Sequence, residues 1–310
     1  MEVAQWNNPV YRETVLIVLV FLFLLGSIFF VFHRKNAAFL GTWASLKSWL
    51  FAAPVILLVL GLPYGWALAS LTLVAIFGSK TFFQITGMYH RSNFVWICYI
   101  GIAALAYAIY IDWHRLYDLM PMIFLFTICM VPLIRNNYIH MIQYIALTLI
   151  GFSLLGWNFM HLGWILKLDN GPFLLIYIIL LTEFCENALM ASSKLFGHIK
   201  PFSRITSKRT LEGFVVALFV TVALAWGMRH LMPSGFRSPP FWIASGIVAA
   251  CGGALGDLVL TVVRRDLGIK QVGAFIIGRG DFLRRVDRLI FVAPIYFYVM
   301  KYMFSLGPMD

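Results

Sequence analysis

The chain has 310 residues, 61% of them apolar and 12% charged, with a formal net charge of +11 and a mean hydropathy of +0.86. Soluble domains lie nearer half apolar and a quarter charged, so the composition excludes a soluble globular domain, a disordered segment, a nucleic-acid-binding arm and a disulfide-stapled secreted fold. An all-α polytopic integral membrane protein remains, whose 24 basic residues must sit in loops or be paired, because a bare charge in hydrocarbon is costly.

In chain order, the first predicted element is an apolar run over 13–33, of about the length needed to span a bilayer. A polar start that is not strongly basic, Met1 to Arg12, precedes it, which reads as a retained span rather than a signal-peptide core. Further windows follow near 49–61, 64–82, 94–111 and 118–134, then near 141–166, 171–190, 211–231, 241–263 and 288–306. They give ten spans, with eight or nine as the alternatives. The second window is short, and Pro54, Pro63 and Gly65 allow a re-entrant or kinked pair there. Cys98, Cys129, Cys185 and Cys251 lie singly inside apolar runs and read as small buried hydrophobes.

Basic residues accumulate in cytoplasmic loops. If the connection after the first span is cytoplasmic, every second connection thereafter should be too, and those connections hold 18 of the 24 Lys and Arg residues. The others are Arg12, Arg115, Lys167, Arg229, Arg237 and Lys301. This bias supports ten spans with both termini outside. Loops before residue 190 are short, whereas 191–210 and 264–287 are longer and dense in charge. The chain divides accordingly into an N-terminal scaffold bundle over 1–180 and a C-terminal unit over 181–310 that carries the chemistry.

Three acids stand well inside the apolar windows, away from their first residues. Glu183 and Glu186 stand three residues apart, on one helix face. Their face must look into protein, water or a cation, either as partners of Arg or Lys from a neighbouring span or as the wall of a polar cavity. Asp257 follows the pair Gly252 and Gly256, whose spacing permits a close helix approach. Packing explains the glycines but requires no carboxylate.

Two basic segments hold half of the cations. Residues 194–209 carry Lys194, Lys200, Arg204, Lys208 and Arg209, and residues 264–288 carry Arg264, Arg265, Lys270, Arg279, Arg284, Arg285 and Arg288. Each alone reads as an ordinary positive-inside loop against anionic headgroups. In the second, Gly268, Gly273, Gly278 and Gly280 would let backbone amides approach phosphates. Asp257, Asp266, Asp281 and Asp287 bracket the same stretch and offer oxygen ligands to a hard cation such as Mg2+. Cations for phosphate beside carboxylates for Mg2+ equip a site for phosphoryl or nucleotidyl transfer, where catalysis is mostly positioning and charge neutralisation. A phosphorylated lipid and a soluble nucleotide would be the substrates.

These residues resemble the CDP-diacylglycerol synthases (phosphatidate cytidylyltransferases). That family carries a stretch like K-L-F-G-x-x-K, then S-P-x-K-T-x-E-G, then G-D-L, then K-R-x-x-G-x-K-D-S-G-x-x-x-P-G-H-G-G-x-x-D-R-x-D-S-L. Lys194 to Gly197 and Thr206 to Gly213 look like the first part, Gly256, Asp257 and Leu258 like the second, and Arg264 to Leu289 like the third. The resemblance implies transfer of CMP from CTP to phosphatidate, in phospholipid biosynthesis, with release of pyrophosphate and with Mg2+ as cofactor. By position it implies Asp257 and Asp287 as metal-binding carboxylates and catalytic groups together with Lys270. Glu186 stands where the family has an intramembrane Asp, and Asp281 is a further candidate ligand. Lys208, Arg264, Arg265 and Arg285 would steady substrate phosphates.

Departures are also plain: Gln271 for the Asp of K-D, Ile277 for the Pro, Arg279 for the His, Asp281 for the second Gly, and Arg284 for the first Asp of D-R-x-D. Two functions of different class follow. One is a divergent membrane nucleotidyltransferase, on phosphatidate or another lipid phosphate. The other is a non-catalytic homologue that binds lipid phosphate or a partner protein; a carrier using the intramembrane acids is a third, without the inverted repeat expected of one. The expected partners are a membrane lipid, CTP or a related nucleotide and no nucleic acid, with a homodimer left open. The expected location is a bacterial inner membrane, with the site facing the cytoplasm.

Overall fold

The computed structural model describes residues 4–35, 40–266 and 279–305, without the side chains of residues 29, 32–35, 40–48, 264, 279–287 and 304–305. Every regular element among the described residues is helical: α1 (Pro9–Lys35), α2 (Leu40–Leu60), α3 (Tyr64–Ile85), α4 (Ser92–Tyr110), α5 (His114–Ile134), α6 (Met141–Gly151), α7 (Phe159–Lys167), α8 (Gly171–Phe196), α9 (Leu211–Gly227), α10 (Pro239–Asp266) and α11 (Arg279–Ser305), with short 3-10 turns. Helices α6 and α7 are joined through a π-helical turn, Phe152–Asn158, into one rod, so the eleven helices make ten rods. Among the described residues, seven segments are long and apolar enough to cross a bilayer, and Trp49–Leu60 and Leu211–Gly227 are shorter apolar helices. Leu16, Phe23, Trp66, Trp96, Ile100 and Leu133 are exposed on the rods. An apolar exterior of this extent belongs in lipid, and the protein is a multi-pass, all-α membrane protein.

The rods run antiparallel in chain order. At one end, Tyr11 Oη donates to Leu57 O at 2.6 Å, joining the start of α1 to the end of α2. At the opposite end of the bundle, Arg135 donates to Asn93 Oδ1 at 2.8 Å and Arg91 to Tyr144 Oη at 3.0 Å, joining the ends of α4, α5 and α6. Lys167 lies at the other end of α4, 3.0 Å from Asp112.

Several boundaries differ from the sequence reading. The second rod begins at Leu40, nine residues before the apolar window, and runs through Pro54 as one helix, so this segment is not a re-entrant pair. Helix α11 begins at Arg279, which places Asp281, Arg284, Arg285 and Asp287 on its backbone rather than in a loop. Helix α8 continues to Phe196. In each case polar residues extend a helix past the apolar stretch that periodicity detects, because the backbone ladder continues wherever side chains reach water or a partner.

The C-terminal helices α8, α9, α10 and α11 pack on one another and set the frame of the site. Gly252 makes the α10–α11 approach close: a Cβ there would stand 3.0 Å from Val292 Cγ2 and 3.2 Å from its Cα. In the joined rod, the π turn leaves Trp157 O available to Tyr117 Oη at 2.6 Å, so the irregular turn is fastened to α5. All four cysteines are free.

Candidate functional site

Where α8 ends, the chain makes an exposed turn over 201–205 and returns to start α9. Thr210 caps α9, its hydroxyl accepting from Gly213 N at 3.2 Å, which satisfies one of the unpaired amides of the first turn. Glu212 reaches back, its carboxylate accepting from Ile199 N at 3.0 Å and from His198 N at 3.2 Å. Leu211 N donates to Ile199 O at 2.9 Å. Ser192 Oγ donates to Gly213 O at 2.9 Å, and a Cβ at Gly213 would lie 2.8 Å from Ser193 N, so only glycine admits this contact. These residues of the family-like stretch thus clamp the loop onto α8 and aim Arg209 inward.

Arg209 Nη2 lies 2.8 Å from Glu186 Oε2, 3.0 Å from Glu186 Oε1 and 2.7 Å from Asp257 Oδ2. One guanidinium nitrogen therefore bridges α8 and α10. Beside it, Arg288 Nη1 of α11 stands 2.8 Å from Glu183 Oε2. Trp49 Nε1 of α2 donates to that same oxygen at 2.8 Å. Glu183, Glu186 and Arg288 are buried, and the Arg209 and Asp257 side chains are 14% and 18% exposed. Glu186, Asp257 and Arg288 lie nine or ten residues in from Phe196, Asp266 and Arg279, the helix ends that share this end of the bundle. At 1.5 Å per residue the cluster is about 14 Å below those ends.

Three carboxylates face two guanidinium groups, which leaves one negative charge in excess among the described residues. Burial works against the charge of Arg209, but Glu186 and then Asp257 outweigh it and raise its pKa above the ordinary value. Among the described residues, Arg209 Nη1, Arg288 Nε and Arg288 Nη1 are buried without a hydrogen-bond partner. Among the described residues no three of His, Cys, Asp and Glu are grouped to hold a metal ion. Glu186 and Asp257 are nevertheless two hard-oxygen ligands on one nitrogen, with an excess negative charge, and that donor chemistry suits a divalent cation.

The structure brings together Glu186 and Asp257 of the expected residues and adds Glu183. The alternative of arginine partners for the intramembrane acids is the arrangement found. Lys208 is exposed, and it is Arg209 that enters the cluster; in S-P-x-K-T, read by position, the lysine falls on residue 209. Arg265 Nη1 donates to Arg204 O at 2.9 Å, tying the two basic segments at their base. Lys270 and the side chains of Arg264, Asp281, Arg285 and Asp287 lie outside the described residues, although Asp287 immediately precedes Arg288 on α11. Sequence reasoning missed three participants. In the sequence Arg209 and Arg288 read only as loop cations, and Arg288 stands at the Ser of D-R-x-D-S-L. Trp49 carries no signal in the sequence beyond an indole N–H inside an apolar run.

A family model described as the cytidylyltransferase family matches residues 43–303. Among curated proteins, the chain is 29% identical over 147 residues to an uncharacterized protein, YnbB, of Escherichia coli strain K12, covering 46% of this chain and 49% of that protein. It is 27% identical over 129 residues to a phosphatidate cytidylyltransferase of Staphylococcus aureus strain COL, covering 41% and 48%. It is 32% identical over 110 residues to phosphatidate cytidylyltransferase 4, chloroplastic, of Arabidopsis thaliana, covering 35% and 27%. The matched segments span about half the length of the two bacterial relatives.

Proposed function

The chain belongs to the cytidylyltransferase family, and from that premise we propose that it transfers CMP from CTP to phosphatidate, giving CDP-diacylglycerol and pyrophosphate. The observation that carries the reading is the buried cluster itself: every member, from Trp49 to Arg288, lies inside the family match. Curated relatives named phosphatidate cytidylyltransferase support the choice of substrates. The site would open to the cytoplasmic face of a bacterial inner membrane, in keeping with the positive-inside bias.

In this reaction a phosphate oxygen of the lipid attacks the α phosphorus in line. The bond from that phosphorus to the bridging oxygen breaks, and pyrophosphate leaves with the electron pair. No covalent enzyme intermediate is required, so the protein's task is to orient two phosphorylated substrates and neutralise their charge. Arg209 and Arg288 present planar donor groups suited to phosphate oxygens. Glu186 and Asp257, with Asp287, would hold Mg2+. That ion supplies charge neutralisation across the triphosphate when bound. The apolar walls of α8 and α10 let the diacyl chains remain in lipid while the headgroup enters.

A second reading, a non-catalytic homologue that binds lipid phosphate, is favoured by one observation: Arg209 already spans Glu186 and Asp257, the two described metal-ligand candidates. Pyrophosphate release from CTP and phosphatidate separates the two, measured with purified protein in detergent with Mg2+. We expect turnover by the wild type that falls at least about a hundredfold in Asp257→Ala and Asp287→Ala, as loss of one charge-stabilising group implies. Wild-type release no greater than that of these variants would refute cytidylyl transfer for this substrate pair.

A further inference from the structure

Glu183 is held in a way that a simple ion pair does not need. Its Oε2 accepts from the Trp49 indole, which comes from the N-terminal half of the chain, and is ion-paired with Arg288 Nη1, each at 2.8 Å. All three side chains are at least nine-tenths buried. An indole N–H can be satisfied by a backbone carbonyl, as that of the half-buried Trp6 is by Leu58 O at 3.2 Å. Donating instead to an already paired carboxylate removes that carboxylate's freedom to turn, and so fixes where Arg288 stands.

Arg288 in turn has a donor to spare. Among the described residues its Nε and Nη1 are buried without a hydrogen-bond partner, and so is Arg209 Nη1 beside it. Their carboxylates, Glu183 and Glu186, are one helical turn apart on α8, so the two guanidinium groups are neighbours. Buried donors left unpaired cost free energy unless an acceptor arrives. The excess of one negative charge among the described residues opposes a bare anion. A phosphate chain that carries its own divalent cation meets both conditions, with oxygens for the spare N–H groups and a cation for the carboxylates.

We infer that Trp49 and Glu183 are positioning residues for Arg288, and that Arg288 contacts an oxygen of the metal-bound phosphate chain of the substrate. This rests on the cytidylyltransferase reading and adds a residue to it, because position 288 is Ser in the family-like stretch. Arg288 then distinguishes how this chain grips its nucleotide from how that pattern does.

Magnesium pyrophosphate is the probe, titrated into the detergent-solubilised protein by calorimetry. Because Arg288→Ala alone would leave Glu183 buried and uncompensated, the main variant is Glu183→Gln with Arg288→Gln, which keeps volume and removes both charges. We expect its dissociation constant to rise about tenfold or more, the size of one charge-assisted hydrogen bond. Trp49→Phe, which keeps the ring packing, should weaken binding about threefold, with Arg288→Lys between the two. It should also raise the KM for CTP more than it lowers kcat. Affinity of the double variant within twofold of wild type would overturn the inference. So would no binding by the wild type, or a Trp49→Phe protein that melts lower but binds unchanged. Arg288-dependent binding without turnover of CTP would sink the reaction and leave the contact standing; turnover with Arg288-independent binding would do the reverse.

Discussion

Removing Arg209 tests the core of the site. Its Nη2 is the nearest cation to two carboxylates, at 2.8 Å from Glu186 and 2.7 Å from Asp257, and all three side chains are less than a fifth exposed. Breaking a buried pair by deleting one partner costs about 3–5 kcal/mol, chiefly because a charge is left buried and uncompensated. Arg209→Gln leaves two such charges, which puts the cost at about 5 kcal/mol. With about 2–4 °C of midpoint per kcal/mol for a chain of this order of size, the thermal midpoint should fall by about 10–20 °C. Adding Glu186→Gln and Asp257→Asn should restore most of the loss, since the amides keep the volume and carry no charge. Arg209→Lys, which keeps charge but loses the fork, should fall between. Lys200→Gln, on the exposed part of the same loop, should stay within about 0.5 kcal/mol of wild type. Thermal unfolding in detergent, followed by tryptophan fluorescence, reads all five proteins. If Arg209→Gln melts with Lys200→Gln, or the triple variant is no more stable than Arg209→Gln, the guanidinium is not neutralising those carboxylates and the electrostatic account of the site is wrong.

Two further substitutions probe the frame. Glu212→Ala removes the acceptor for the amides of His198 and Ile199, so brief trypsin digestion of the native protein should cut after Arg204 and Lys208, both exposed, several-fold faster than in wild type; an unchanged rate would show that the loop is held by other contacts. Gly252→Ala places a methyl 3.0 Å from Val292 Cγ2 and 3.2 Å from its backbone Cα, and should cost about 1–3 kcal/mol in thermal unfolding. Val292→Ala should recover part of that, since only the side-chain clash is relieved.

Much of the fold was legible because lipid imposes a single demand on the sequence. Each spanning segment must be apolar over about twenty residues and must satisfy its backbone internally, and most of the ten windows are of that kind, with seven of the described segments long and apolar enough to cross a bilayer. Their ends were less legible. Helix α2 starts at Leu40 and α11 at Arg279, in polar stretches where hydropathy has no signal and the backbone ladder simply continues. The long sixth rod was correctly one segment, but its π turn, fastened by Tyr117 to Trp157 O, has no periodic signature.

At the site, the one-dimensional pattern identified the acids but not their partners. Glu183, Glu186 and Asp257 could be singled out because a carboxylate in an apolar run requires a reason. The family-like stretch from Lys194 to Gly213 contains both Lys208 and Arg209, adjacent cations that are indistinguishable in the sequence until the loop's fold points Arg209 inward. Thr210, Glu212 and Gly213 decide that direction through contacts with Ser192, Ser193, His198 and Ile199. Arg288 was hidden in the same way, as one basic residue among seven.

By itself, then, the sequence determined that this is a many-helix membrane protein, that its cations gather beside intramembrane carboxylates, and that it resembles cytidylyltransferases, because solvation and motif spacing are written residue by residue. Only the tertiary structure decided which cation meets which carboxylate. Arg209 crosses from the loop after α8 to Glu186 and Asp257, and Arg288 and Trp49 converge on Glu183 from α11 and α2. Those partners are separated by between 23 and 134 positions in the chain, and what joins them is the packing of helices whose order in space no local pattern encodes.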